Sequence, residues 1–171
     1  MLKLIGLMMV VTASSLTGLG MARTVRCQQL QTSSMLDCIV YIKQELRYRM
    51  TPLPDVFDAL GSSAGAQVGA FFAQMAQTLQ TDGGSTVGFA CRMALAQTRG
   101  LQLPLPVCRS LQALFDQLGR FDLEGNVQAL ELAQARLQAE LDALRTGGRA
   151  RCRTYLTLGV CTGLAAAVIL I

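Results

Sequence analysis

The sequence contains no histidine and no tryptophan, and aromatic residues make up only 5% of its 171 residues. Histidine is the side chain that most often acts as a general base or metal ligand near neutral pH. Its absence excludes Ser-His-Asp and Cys-His catalytic sets. We therefore predict a protein without catalytic residues, metal site or cofactor, which acts by binding other proteins.

Charged residues are also scarce, at 15% of the chain, compared with about a quarter in typical soluble domains. The net charge of +4 is small, and basic residues are interspersed with acidic ones. Proteins that bind nucleic acid usually carry a basic stripe with aromatic residues set within it. The sequence has no such stripe, so nucleic acid is not a predicted partner.

Cysteine is present but forms no recognisable site. The sequence contains no CxxC pair, and the cysteine spacings do not match a zinc site. The chain is neither short nor dense in cysteine, which argues against a disulfide framework. We predict ordinary buried or interfacial thiols. The six cysteines are Cys27, Cys38, Cys91, Cys108, Cys152 and Cys161.

Apolar residues are in excess, at 51% of the chain, and they are concentrated at its two ends. Residues 2–21 contain one charge, Lys3, and residues 155–171 contain none. A helix of about 20 residues spans the hydrocarbon layer of a membrane. We therefore predict an N-terminal transmembrane helix at 1–21 and a C-terminal one at 154–171. A cleaved signal peptide is the alternative for the first stretch.

Arginines flank both apolar stretches on their inner sides. Arg23 and Arg26 follow the first stretch, and four arginines lie between positions 145 and 153. Basic flanks remain on the cytoplasmic side of a membrane. Residues 22–153 are therefore predicted to form a cytoplasmic domain, with both termini across the membrane and with lipids as neighbours. Acylation of Cys152 beside the membrane is a less favoured alternative to an unmodified thiol.

Gly159 and Gly163 form a GxxxG pattern in the second apolar stretch. Such a pair allows two membrane helices to pack closely, although glycine is common in spanning helices in any case. We retain the pair as a candidate packing site for another membrane helix.

Between its two ends the chain has the composition of helices. Alanine, leucine and glutamine favour helices, and no long part of residues 22–153 alternates like a strand. We predict an all-α fold, an antiparallel bundle of five or six helices flanked by the two transmembrane helices. The predicted helices lie at about 30–50, 52–61, 65–80, 86–95, 105–118 and 122–145.

The predicted core follows the helical period. Met35, Ile39, Ile42 and Leu46 recur at steps of four, three and four, which places them on one helix face. The same reasoning places apolar side chains of the next helices inward. They are Val56, Phe57, Leu60, Val68, Phe71, Phe72, Met75, Leu79, Val87, Phe89, Ala90, Leu95, Cys108, Leu111, Leu114, Phe115 and Leu118.

Apolar residues recur at steps of four and three along the last predicted helix, as in a coiled-coil seam. One polar residue, Gln134, interrupts the seam. Packing against an earlier helix of the same chain is the favoured interpretation, and a seam for another subunit of a homo-oligomer is the alternative. Gly147 and Gly148 are predicted to loosen the connection to the second apolar stretch. The seam positions are Leu123, Val127, Leu130, Leu137, Leu141 and Leu144.

The segment ELRYRMTPLP, residues 45–54, places two prolines behind a run of polar residues. A residue that precedes proline avoids helical angles, so the helix before it is predicted to end near Met50. Thr51 is predicted to cap the next helix through its hydroxyl, with Pro52 at the first helical position. The segment is therefore predicted to form a corner between two helices.

Four side chains are expected to stabilise this corner. Glu45 and Arg49 are spaced for an i,i+4 ion pair, and Tyr48 and Leu53 are predicted to wedge between the two helices. An acid–base cluster of Glu45, Tyr48 and Thr51 is the alternative, but the sequence offers no nucleophile or metal for it to serve.

The segment DGGSTVG, residues 82–88, contains two adjacent glycines. A phosphate-binding loop is one interpretation, but the required Gly-Lys-Ser/Thr is missing and no strand precedes the segment. A turn explains the glycines, and Ser85 or Thr86 is then predicted to open the next helix.

Residues 45–53, ELRYRMTPL, resemble the Glu-x-x-Tyr-x-x-Thr-Pro-Leu signature of the stage III sporulation protein AB family. GGSTVGFACRMAL, residues 83–95, is similar to a family stretch in which tryptophan is usual at the position of Cys91. MLKLIG, SSLTGLGMAR and LGVCTGLAAAVILI resemble the two spans of the family. The resemblance covers nearly the whole chain.

LFDQLGRFD, residues 114–122, is similar to the Leu-Gly-x-x-Asp stretch of the family. Asn126 stands where glutamine is usual, which indicates a divergent member. The resemblance, together with the corner, selects candidate residues for a partner interface or a structural motif. These candidates are Glu45, Tyr48, Thr51, Pro52, Leu53, Gly119 and Asp122.

The resemblance implies a structural subunit and not an enzyme. Members of the family sit in the mother-cell membrane around the forespore, in a transenvelope complex that resembles a secretion channel and is required for endospore formation. Their helical domain is similar to one domain of the platform proteins of type II secretion and type IV pilus machines. Such platforms couple a cytoplasmic ATPase to the assembly. The implied partners are stage III sporulation protein AA, which is the ATPase, and the other stage III subunits.

Two other functions stay open. One is a platform-like membrane adaptor of another secretion or pilus system, for which the same helical architecture would serve. The other is a membrane-bound enzyme, in which Glu45 and Tyr48 would be the first residues to test.

Overall fold

In a computed structural model of the chain, the backbone is described for residues 2–81, 84–118 and 123–170, and side chains for 23–81, 84–118 and 124–147. The described residues form six α-helices and contain no strand, so the predicted all-α class is confirmed. The elements are α1 (Leu2–Gln44), a π-helical turn (Glu45–Arg49), α2 (Leu53–Ser63), α3 (Ala66–Thr81), α4 (Val87–Gln97), α5 (Leu105–Gln117) and α6 (Leu123–Leu170).

The chain forms two compact units. One unit comprises Met1–Cys27 together with Ala143–Ile171, and the other comprises Gln28–Asp142. The second unit contains the described core and the corner at residues 45–54, and the site is built from it alone. The predicted domain boundaries after residues 21 and 153 remain predictions.

No helix is both long and apolar enough to cross a membrane over the residues that the structure describes fully. The predicted spans at 1–21 and 154–171 fall in the parts of the chain whose side chains lie outside that description. Gly159 and Gly163 belong to the second of these parts. The two spans and the glycine pair therefore remain predictions.

The helix α6 is longer than predicted, because its backbone stays helical from Leu123 to Leu170. The predicted loosening at Gly147 and Gly148 is wrong. A glycine inside a helix costs only about 1 kcal/mol relative to alanine, and the leucine, alanine and arginine residues before it favour helix strongly enough to offset this cost.

Four phenylalanine rings form the centre of the second unit. Phe57 of α2, Phe71 and Phe72 of α3, and Phe115 of α5 are each 0% exposed. The ring centroids of Phe57 and Phe72 lie 5.9 Å apart in a stacked pair, and Phe57 meets Phe115 edge-on at 5.9 Å. Such pairs add about 0.5–1.5 kcal/mol beyond the burial of their area, so these rings join three helices.

The α1 face predicted from its period is confirmed. Met35, Ile39 and Ile42 are fully buried, and Leu46 is nearly so. These side chains belong to the same core cluster as the phenylalanines. Most other predicted core residues are buried as well, whereas Leu79 and Leu95 are only partly buried and Cys108 is half-buried.

Phe89 was predicted to face inward, and this prediction is wrong because its side chain is 41% exposed. In α4 the buried positions are instead Gly88, Cys91 and Ala94, along with Ala90. Gly88 lies so close to α5 that an added Cβ would stand 3.0 Å from Cα of Asp116. This close approach sets the rotation of α4, and it leaves Phe89 on the outer face.

The seam along α6 packs within the chain, as favoured from the sequence. Leu130, Ala133 and Leu137 belong to the core cluster. Gln134, the polar residue that interrupts the seam, bonds to α1. Nζ of Lys43 donates a hydrogen bond to Oε1 of Gln134 over 3.1 Å. The side chain of Leu123 lies outside the described residues.

The connection between α4 and α5 is held by one buried glutamine of α1. Gln31 donates from Nε2 to the carbonyl oxygen of Gly100 over 3.0 Å, and its Oε1 accepts from the backbone N–H of Gln102 over 2.6 Å. Gly100 adopts φ of +84°, a conformation that favours glycine. The side-chain amide thus supplies hydrogen-bond partners to backbone groups of an irregular segment. Regular secondary structure does not pair these groups.

Candidate partner-binding site at the corner between α1 and α2

The corner begins where α1 widens into a π-helical turn over Glu45–Arg49. Met50 then adopts φ 51° and ψ 33°, which is left-handed backbone, and Pro52 is extended with ψ of 138°. The predicted end of the helix near Met50 is confirmed. A left-handed non-glycine residue costs about 1–2 kcal/mol, and π-helical turns occur frequently at functional sites.

The predicted capping role of Thr51 is wrong. The residue that precedes α2 is Pro52, and no side chain caps that helix end. The backbone carbonyl of Pro52 instead accepts from the N–H groups of Asp55 and Val56 over 3.1 and 3.2 Å. The hydroxyl of Thr51 is directed elsewhere, because it donates to Oε2 of Glu45 over 3.0 Å, and a carboxylate is the stronger acceptor.

Glu45 holds the corner together from inside. Its side chain is only 10% exposed, and its Oε1 accepts from Nη1 of Arg49 over 3.2 Å. The predicted i,i+4 pair is therefore confirmed. With Thr51 on the other oxygen, both carboxylate oxygens have partners from within the corner. A buried carboxylate needs such partners, so the arrangement fits a structural role for Glu45.

Tyr48 was predicted to wedge between the two helices. This prediction is wrong, because the residue is 77% exposed. The guanidinium of Arg47 lies 5.9 Å from the centroid of the Tyr48 ring, within the range of a cation–π contact. Leu53 is partly buried and packs against the core, as expected. Tyr48 follows the buried Leu46 by two positions, and helical residues two apart lie on different faces, so the side chain points away from the core.

The corner therefore has an inner frame and an outer surface. The frame consists of Glu45, Thr51 and Leu53. We call the outer surface the corner surface, and it consists of Arg47, Tyr48, Arg49 and Met50. Met50 is 73% exposed and the side chain of Arg49 is 74% exposed. Sequence reasoning missed Arg47, Arg49 and Met50 as surface candidates, although their position after the last core residue of α1 was a usable signal.

Of the remaining predicted site residues, Pro52 is part of the corner. Gly119 and Asp122 lie outside the described residues, so their roles remain predictions. Pro52 was predicted at the first helical position, and this is wrong because α2 begins at Leu53 and Pro52 precedes it with extended backbone. Asn126 is buried on α6. It stands at a position where the family that the sequence resembles usually has glutamine.

Cys91 occupies a core position and is 0% exposed. Burial raises the pKa of its thiol to about 12, with a smaller contribution from Asp116. Burial likewise raises the pKa of Cys38 to about 11. A thiol is nucleophilic only as thiolate, so both side chains act as small apolar core residues. Among the described residues, no cluster of acidic or cysteine side chains has the composition to hold a metal ion.

Comparison with known proteins identifies relatives of the chain. The family model described as stage III sporulation protein AB matches residues 3–171. A solved structure of a stage III sporulation protein AB superposes with a TM-score of 0.67 at 18% sequence identity, covering 72% of this chain and 97% of that chain. At this identity the likeness establishes the fold. No curated protein sequence is a significant match to this chain.

Proposed function

Since the chain belongs to the stage III sporulation protein AB family, we propose that it is a non-catalytic subunit of the stage III sporulation complex. In this proposal it is a platform-like protein of the mother-cell membrane around the forespore, and it couples a separate cytoplasmic ATPase to the channel. The family match over nearly the whole chain supports the choice of this complex over another secretion or pilus system.

The observation that carries the proposal is the corner surface. Tyrosine, arginine and methionine are enriched in protein–protein interfaces, and tyrosine and arginine dominate their energetic hot spots. Here four such residues follow one another in the sequence and are exposed, and the backbone at the last of them, Met50, is left-handed. Of the four residues, Arg49 is bonded to the inner frame through Glu45, whereas Tyr48 and Met50 lie outside the core cluster. Backbone strain that persists without a packing reason points to function.

The proposed partner at this surface is the ATPase, stage III sporulation protein AA. The sequence of this chain offers no phosphate-binding loop, which fits a division of labour between two chains. Membrane attachment is proposed from the two apolar ends, with arginines on their inner sides. Gly159 and Gly163 are proposed to contact another membrane helix of the complex.

The proposal is tested by binding the purified ATPase to the full chain in detergent micelles. Tyr48→Ala is expected to weaken binding by about 2 kcal/mol or more, roughly a 30-fold rise in Kd, as for a central interface tyrosine. Tyr41→Ala is the matched control, because Tyr41 lies on α1 shortly before the corner and is 37% exposed. Its Kd should equal that of the wild type.

Two results would contradict the proposal. The first is a wild-type chain that does not bind the ATPase at all. The second is a deletion strain that completes endospore formation normally, since a subunit of this complex is required for it.

A further inference from the structure

The corner surface has one sign of charge. Its four residues carry two positive charges, on Arg47 and Arg49, and no negative charge. The nearest acid in the sequence, Glu45, is only 8% exposed and already accepts hydrogen bonds on both oxygens. Asp55 and Asp58 are the next acids, and both lie on α2. A partner approaching the corner surface therefore meets guanidinium groups.

Each of the two guanidinium groups makes one contact within the corner and has N–H donors left for a partner. Arg49 uses one nitrogen for Glu45, and a guanidinium has five N–H donors in a rigid fork, so donors remain free on its exposed side. Arg47 lies over the ring of Tyr48 and has no acidic partner among the described residues. Arginines ordered in this way lose little entropy when they bind a carboxylate in bidentate fashion.

The corner surface also has an apolar part. Met50 is 73% exposed and Tyr48 is 77% exposed. Methionine adapts its shape to different apolar partners, and an exposed aromatic ring offers a large contact area at low entropic cost. Carboxylates alone would leave this apolar part uncovered.

We propose that the corner surface binds an acidic segment of a partner protein, with carboxylates on Arg47 and Arg49 and an apolar side chain against Tyr48 and Met50. This inference rests on the proposed function, which supplies a partner, and it names the chemistry by which that partner is recognised. An anionic membrane fits less well, because lipid-binding clusters use about four to eight cations and the corner surface has two.

The test uses the full chain in sporulating cells, with the photocrosslinking residue p-benzoylphenylalanine in place of Gln44. Gln44 is exposed and lies one turn before Tyr48, so the corner surface itself stays intact. The crosslinked peptide is identified by mass spectrometry and its sequence gives its charge. We expect a protein segment with clustered Asp or Glu and at least one large apolar residue.

A charge-reversal substitution is the second part of this crosslinking test. Arg47→Glu is expected to reduce the yield of this adduct by about tenfold or more, since like charges then face each other. Arg99→Glu is the matched control, because Arg99 is an exposed arginine distant in sequence from the corner, and its adduct yield should equal that of the wild type. Both substitutions are at exposed positions and should leave the melting temperature unchanged.

A neutral or basic crosslinked peptide, a lipid adduct, no adduct, or an adduct unaffected by Arg47→Glu would overturn the inference. These outcomes are separate from those of the proposed function. An acidic adduct with a protein other than the ATPase would keep the inference and overturn the proposed coupling. Normal ATPase binding without an acidic adduct would keep the proposed coupling and overturn the inference.

Discussion

The hydroxyl of Thr32 is fully buried on the core side of α1 and makes no hydrogen bond among the described residues. A buried polar group without a partner loses its hydration and gains nothing in return, at a cost of about 1–3 kcal/mol. Thr32 is therefore a residue at which the sequence is not optimised for stability.

Thr32→Val is expected to raise the free energy of unfolding by about 1 kcal/mol, because valine has the same shape and no hydroxyl to desolvate. Urea unfolding of both proteins followed by circular dichroism measures the difference. Thr78→Val is the control, since the hydroxyl of Thr78 donates to the carbonyl of Gln74 over 2.8 Å. An unchanged or lowered stability for Thr32→Val would show that its hydroxyl has a partner in solution.

The buried thiol of Cys91 makes stability depend on alkaline pH. Well below pH 9.0, which is its ordinary pKa, the thiol is protonated in the folded and the unfolded chain alike. Between pH 9.0 and about 12 the unfolded chain loses this proton while burial keeps it on the folded chain. The folded state then binds more protons, so stability falls as pH rises through this window.

Cys91→Ala is expected to flatten this alkaline decline by at most about 1.4 kcal/mol per pH unit, which is the contribution of one titrating group. Urea midpoints measured on both proteins across the window give the two slopes. The small cavity left by alanine lowers stability equally at every pH, so it does not affect the comparison. Equal slopes would mean that Cys91 ionises freely in the folded chain.

At the scale of secondary structure, the turn from α1 to α2 combines a stable frame with a strained link. Glu45 and Thr51 hold the frame by hydrogen bonds, while Met50 supplies the left-handed residue that glycine or asparagine usually supplies. The residue with the unfavourable backbone conformation, Met50, is thus also one whose large side chain is exposed.

Met50→Gly is expected to separate stability from binding. Glycine relieves the left-handed strain, so the free energy of unfolding should rise by a few tenths to about 1 kcal/mol. The affinity for the ATPase should fall several-fold, since the Met50 side chain is lost from the apolar part of the corner surface. Calorimetry and the binding assay measure the two quantities. Lower stability together with unchanged affinity would show that Met50 serves the fold and not the interface.

At the scale of the whole molecule, the proposed platform role depends on membrane topology. The arginines on the inner sides of the two apolar ends predict that residues 22–153 face the cytoplasm. An ATPase in the cytoplasm reaches the corner surface only in this orientation. The opposite orientation would remove the proposed partner from reach.

Thiol labelling of single-cysteine variants in intact protoplasts tests this orientation. A variant that keeps only Cys27 should resist a membrane-impermeant reagent, and should react after permeabilisation because Cys27 is partly exposed. A cysteine added after Ile171 should react in intact protoplasts of non-sporulating cells that express the chain, where the far side of the membrane is open to the reagent. Labelling of Cys27 from outside would place the bundle on the wrong side of the membrane for the proposed role.

Features set by neighbours in sequence were predictable. The α1 core face at Met35, Ile39 and Ile42 follows from a helical period alone. Thr86 was one of two predicted caps for α4, and its hydroxyl accepts from the N–H of Phe89 over 3.3 Å. The pair of Glu45 and Arg49 follows from i,i+4 spacing in the same way.

The sequence by itself therefore determined the helical class, the inward faces of most helices and the presence of a corner at residues 45–54. Tertiary structure decided the exposure of Phe89, the exposure of Tyr48 and the partner of Thr51. The physical reason is that these features depend on geometry that a regular helical period does not specify, either in a neighbouring helix or in the corner itself. Asp116 of α5 sets the rotation of α4, and the folded π-helical turn brings the carboxylate of Glu45 within reach of Thr51.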